Sequence, residues 1–189
     1  MTIIQTLEKL NLGLSRDGRV ELKSCPLDWR KAFEIESARI KTALDDPSFK
    51  IHHIGSTSVP SILAKPVLDV LIEAPAIEIL DQNRQKLEAL GYEYKGECGI
   101  QGRRYCVLYN LEKTVGFVHI HAFAKGNVEI EKHLLFRDYL IAHPKIANTY
   151  QNLKLDLIEQ SHVTREKYTE LKSGLIQEIL AEAKKWRQS

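Results

Sequence analysis

The chain has no long apolar run, no large excess of one charge and no paired-cysteine motif, and each lack removes a class of protein. No segment approaches the roughly 20 apolar residues that a membrane-spanning helix needs. The start, MTIIQTLEKLNLGLSRDG, has no basic stretch leading into an apolar one, so neither export nor membrane anchoring is expected. Lys and Arg number 27 against 25 Asp and Glu, a net charge of +2 that is mixed along the chain. Such a balance lacks the single-sign field of non-specific nucleic-acid binders, and nucleic acid ranks last among the partners, although a small anion remains compatible. Cys25, Cys98 and Cys106 are an odd set without CxxC spacing, which argues against a disulfide framework or a structural zinc site and points to a reducing cytoplasm. Internal repeats, low-complexity tracts and a Pro/Gly/Ser-rich linker are absent too, so any boundary must come from a change in pattern.

What is there suits a folded α/β domain. At 189 residues, with 43% hydrophobic and 28% charged residues, the chain can bury one sizeable core. It reads as one domain, with a mixed-sheet core over 1–125 and a helical segment over 126–189. Residues 19–23 read as a short extended stretch, and 28–44 as a helix with Trp29, Phe33, Ile40 and Leu44 near helical spacing. Strands are expected over 49–54, 67–72, 103–109 and 115–123, which are rich in β-branched and aromatic residues. A helix over 77–90 stops at Gly91. After Gly126 three helices are expected, over 128–142, 145–160 and 164–186, the first ending before His143-Pro144. Leu171, Leu175, Ile179 and Ala183 recur at four-residue spacing in the last, as a core stripe would.

The chemistry concentrates between His53 and Asp69. Gly55 lets backbone approach a ligand closely, Ser56 and Thr57 add hydroxyls, and successive amides in such a turn can cradle phosphate oxygens, although the same residues also make ordinary turns. The strand that follows is apolar at Val67, Leu68, Val70, Leu71 and Ile72 and is interrupted by Asp69. A bare carboxylate in a buried strand is costly, so Asp69 needs strong hydrogen bonds, a cation or a metal. Lys65 is the simple structural partner. Glu73 falls on the same face at strand spacing, or else beyond the strand end in solvent. His119 and His121 alternate with Val118, Ile120 and Ala122 and so share a face, either to bind a metal or phosphate, or with one in solvent and the other hydrogen-bonded in the core.

His53-Ile54-Gly55-Ser56-Thr57-Ser58-Val59-Pro60 followed by Ala64-Lys65-Pro66-Val67-Leu68-Asp69 resembles the signature of GrpB-like proteins, which have the nucleotidyltransferase fold. The resemblance continues through Leu90-Gly91-Tyr92, Arg104-Tyr105, His119-Ile120-His121, Phe136-Arg137-Asp138-Tyr139-Leu140 with His143-Pro144, Tyr150, Lys154, and Tyr168 with Lys172. It implies a nucleotidyltransferase-like mixed sheet flanked by helices. In it the turn Gly55, Ser56, Thr57 would hold nucleotide phosphates, with Ser56 and Asp69 as catalytic residues and Asp69 holding magnesium or manganese. Lys65, Arg104, Arg137 and Lys154 would be the charge clamps, unless they lie on solvated faces. Two departures stand out. Leu71 occupies the position where catalytic nucleotidyltransferases usually carry a second carboxylate, and Ser61 stands where glycine commonly follows Val-Pro.

Three functions follow as expectations. The first is a nucleotidyltransferase that binds a nucleoside triphosphate and a divalent metal and passes a nucleotidyl group to a small acceptor. The second is a non-catalytic nucleotide-binding or accessory domain, in line with Leu71. The third is a metal-dependent hydrolase using Asp69 with His119 and His121.

Overall fold

A computed structural model describes residues 1–15, 21–159 and 165–188, without the side chains of 165–169. Arg19 and Val20 of the expected 19–23 stretch, Gln160 at the end of the expected 145–160 helix, Thr164 and the side chain of Tyr168 lie outside the described residues. Lys23 does pair as an isolated antiparallel bridge with Ala64. In chain order the elements are α1 (Ile3–Lys9), β1 (Leu14–Ser15), α2 (Pro26–Leu44), β2 (Lys50–Ile54), a 3-10 turn (Ser56–Ser58) and β3 (Leu68–Ala74). Then come α3 (Ile77–Gln82), α4 (Arg84–Ala89), β4 (Tyr92–Tyr94), β5 (Arg104–Tyr109), β6 (Val115–Ala124), α5 (Val128–Ala142), α6 (Pro144–Glu159) and α7 (Arg165–Gln188).

The six strands form one mixed sheet in the order β2-β3-β6-β5-β4, with β1 against β6. Among the described residues only β3 and β6 run parallel; β1 with β6, β2 with β3, β5 with β6 and β4 with β5 are antiparallel. The mixed α/β architecture with a helical C-terminal segment is the one the sequence pattern leads to. β3 is longer than expected and includes Glu73, whose carboxylate meets Lys50 at 3.4 Å across the β2 pair instead of lying beyond the strand. The helix expected over 77–90 is two helices. Asn83 leaves helical geometry (φ −91°, ψ 6°) and its side-chain amide donates to the Ile79 carbonyl at 2.8 Å, a local bond that competes with helix continuation. Strands β1 and β4 and helix α1 are too short for pattern alone to reveal them.

The alternation of β-strand side chains gives the sheet two unlike faces. On one, Val70, Ile72, Cys106, Leu108, Ile120 and Ala122 pack with Trp29, Ile40 and Leu44 of α2 and with Leu80 and Leu87 of α3 and α4 in the main core. Each of these large aliphatic or aromatic side chains, once buried, contributes about 1.5–3 kcal/mol. On the other face Leu71 and Phe123 pack with Ile54 and with Ile130 of α5. A third cluster joins Val59 and Ile62 of the turn region to Leu135 and Leu140 (α5), Tyr150 (α6) and Ile179 (α7). The expected stripe on α7 is core at Leu175, Ile179 and Ala183 but not at Leu171, which is 39% exposed. Among the described residues no helix is long and apolar enough to cross a membrane.

Candidate functional site

Asp69 sits where the turn meets the second face of the sheet. Register places it beside Ile54 of β2 on one side and His119 of β6 on the other. Gly55 has φ +69° and ψ −173°, a conformation essentially restricted to glycine, and a Cβ there would lie 3.0 Å from the Asp69 Cβ and strike its carboxylate. The turn is therefore shaped around the carboxylate. It is tied down locally: the Ser58 hydroxyl donates to the Gly55 carbonyl at 2.6 Å, and the Thr57 hydroxyl lies 3.0 Å from His53 Nε2. His53 in turn stacks on Phe33 at 4.8 Å, and its burial takes its pKa down to about 4.

Both histidines of β6 face Asp69. His119 Nδ1 lies 3.4 Å and His121 Nε2 3.8 Å from its Oδ1, contacts longer than tight hydrogen bonds. Burial pushes the Asp69 carboxyl up, but these two histidines outweigh it and hold the group well below the usual carboxylate range. Arg103 Nη1 lies 3.5 Å from His121 Nδ1. Arg103 is itself fixed by the Glu97 and Cys98 carbonyls, at 3.1 and 2.6 Å, and lies 4.7 Å over the Tyr105 ring.

A cleft opens in front of Asp69 in two connected lobes that share Gly55, Ser56, Asp69, His133 and Lys172. The inner lobe, about 550 Å³, is lined by the turn, both β6 histidines, Tyr105, Lys65 and Lys154. The outer lobe, about 600 Å³, lies against α5, α6 and α7, where Phe136, Tyr150, Ile176 and Leu180 form an apolar wall, Lys184 adds charge and Lys132 is paired with Glu129 at 2.5 Å. Lys154 is 2% exposed. Its ammonium donates to the Leu63 carbonyl and to Ser56 Oγ, the latter at 3.4 Å, and lies 4.7 Å over the Tyr150 ring. Burial, with Lys172 and Lys65 nearby, brings its pKa down to about 7. Burial also lowers that of Lys172, partly offset by Asp69.

Gly55, Ser56, Thr57, Lys65, Asp69, His119, His121 and Lys154 thus line one cleft. Two clamp candidates stand apart from it. Arg104 lies on the opposite face of β5, where it donates twice to Asp81 at 2.6 Å. Arg137 donates to the His53 carbonyl at 3.0 Å and pairs with Asp138, bracing the end of β2. Strand alternation puts Arg103, not Arg104, next to His121, and neither it nor His133 of α5 stands out from the sequence. Burial brings the pKa of His133 down to about 4. Asp69 is the one carboxylate that β3 presents to the cleft, because Leu71 is fully buried and Glu73 is engaged with Lys50. Among the described residues no group of three or more His, Cys, Asp or Glu has the geometry to hold a metal ion. This donor set does not fit a two-magnesium cage, which needs several oxygen ligands.

Sheet, flanking helices and turn define a mixed α/β protein with its cleft on one face of the sheet. The chain belongs to the GrpB family: the family model described as GrpB protein matches residues 19–182. It is 42% identical over 159 residues to YqkA of Bacillus subtilis, an alignment covering 84% of this chain but 46% of that protein, so the chain spans less than half the length of this relative. It is 30% identical over 177 residues to the glutamate-rich protein GrpB of Alkalihalophilus pseudofirmus, covering 90% of this chain and 99% of that one. The crystal structure of the conserved protein GrpB from Enterococcus faecalis matches with a TM-score of 0.77 at 38% identity, covering 85% of this chain and 95% of that one.

Proposed function

We propose that the cleft binds a nucleoside triphosphate and transfers its nucleotidyl group to a small hydroxyl-bearing acceptor. The observation that carries this reading is the meeting of Lys154 with Ser56, at 3.4 Å, beside the Asp69 carboxylate at the floor of a two-lobed cleft. Charge-assisted donors in a partly dry site are suited to phosphate oxygens, and the backbone turn at Gly55 leaves room for them. The inner lobe would take the phosphates and the outer lobe the nucleoside, against Phe136 and Tyr150. In the reaction the acceptor oxygen attacks the α-phosphorus as the bond to pyrophosphate breaks. The acceptor proton would pass to the Asp69–His119 pair, because His119 presents Nδ1 to the carboxylate.

The experiment is calorimetric titration with each of the four common nucleoside triphosphates, followed by assay of pyrophosphate release in the presence of hydroxyl-bearing small molecules. Binding with release that disappears in Asp69→Asn supports transfer. Absence of binding to all four removes the reading. A second reading, binding without turnover, is favoured by Leu71, whose burial leaves the site a single strand carboxylate. Tight binding with no pyrophosphate released from any acceptor would select it.

A further inference from the structure

A polyphosphate entering the inner lobe brings several negative charges, and the lobe already contains Asp69. Enzymes that carry two or three carboxylates at such a place neutralise both with divalent ions. Here the strand supplies one carboxylate, and the side chain two residues on, Leu71, packs with Ile54, Phe123 and Ile130 and is itself fully buried. What the lobe has in place of more carboxylates is ammonium groups. Lys154 on α6, Lys172 on α7 and Lys65 ahead of β3 all line it. They come from three separate segments, so their convergence is a property of the tertiary fold and not of one basic stretch. Lys154 is the most committed of them: it is 2% exposed, with Nζ held over the turn by Ser56 Oγ and the Leu63 carbonyl. Burying an ammonium in this way costs free energy that an incoming anion returns.

We propose that Lys154 and Lys172 take the place of bound metal ions, so that the cleft holds the polyphosphate of a nucleotide by ammonium groups and without a metal cage. This rests on the reading of the cleft as a triphosphate site. A lysine is a compact point charge with three donors and suits a phosphate whose orientation is already fixed by the backbone turn. Asp69 then acts against metal-free binding, as a like charge facing the phosphates that the ammonium groups offset.

The test is calorimetric titration of the full chain with ATP and with inorganic tripolyphosphate, each in excess magnesium and in excess chelator. The expected result is binding in chelator within about threefold of that in magnesium, a difference well under 1 kcal/mol. Lys154→Met and Lys172→Met should each weaken it roughly ten- to a hundredfold, the loss of one charge-assisted hydrogen bond. Asp69→Asn should bind more tightly than the parent in chelator. Circular dichroism of Lys154→Met shows whether that variant folds, and Lys172→Met, nearer the surface, carries the test if it does not. Binding that needs magnesium and is lost in Asp69→Asn overturns the inference while leaving the triphosphate reading in place. Binding in neither condition overturns both.

Discussion

Gly55 and Asp69 are best understood as one unit, since the backbone conformation of the first exists to make room for the second. Gly55→Ala would place a methyl group against the carboxylate at a positive φ. The expected cost is about 1–3 kcal/mol of stability, with a further loss of ligand affinity as the carboxylate is displaced; urea unfolding and calorimetry measure the two separately. Leu71 makes the complementary point. Restoring the missing carboxylate by Leu71→Asp would put a charge among Ile54, Phe123 and Ile130, and we expect destabilisation of at least about 3 kcal/mol and no gain in metal affinity, read by chemical denaturation and by manganese titration. At this scale the sequence was partly legible. Asp69 announced itself because a carboxylate interrupts an apolar run, and the β6 histidines because alternation puts them on one face. Arg103 did not, because it and Arg104 are chemically identical neighbours and only the strand's phase decides which one faces the site.

Among the elements, α6 sets the electrostatics of the cleft. Its Lys154 has a folded pKa near 7 against 10.5 for an unhindered lysine. Below pH 7 the group is charged in both the folded and unfolded chain, and its burial penalty is fully in force. Between pH 7 and 10.5 the unfolded chain binds the extra proton, so this group makes stability rise with pH, by at most about 1.4 kcal/mol per unit. Comparing denaturation free energies of the parent and Lys154→Met at pH 6, 8 and 9 isolates the effect: the parent's curve should climb relative to the variant's above pH 7 and run parallel to it below. The groups facing Lys154 are Lys172 on α7, Lys65, Tyr150 on its own helix and Ser56. Strands β2, β3, β5 and β6 were readable because β-branched and aromatic residues dominate them. The break at Asn83 was not, since both half-helices keep an apolar period across it.

For the whole molecule, the cluster that joins Val59 and Ile62 to α5, α6 and α7 fixes the distance between the turn and the lysine-bearing helices. Ile179 is 3% exposed within it. Ile179→Ala should cost roughly 2–5 kcal/mol by thermal unfolding and should also weaken nucleotide binding, although Ile179 lines neither lobe. A substitution of similar size on the opposite side of the sheet, Leu80→Ala, should lower stability alone. The overall class was legible from the alternation of strand and helix patterns, because those patterns reflect burial on a pleated or helical surface. The two-lobed cleft was not, because it depends on how three helices close over the second face, which side-chain packing decides.

The parallel pairing of β3 with β6 has a kinetic side. Asp69 and His119 are register partners, yet the whole of α3, α4, β4 and β5 lies between them in the chain. Closing so long a loop is entropically slow compared with forming a hairpin such as β5–β6. The carboxylate–imidazole pair therefore cannot assemble from local structure and comes into being only when the centre of the sheet zips together. Binding competence should return on refolding with that pairing and not with the earlier recovery of helical signal, making the site itself a reporter of assembly at the centre of the sheet.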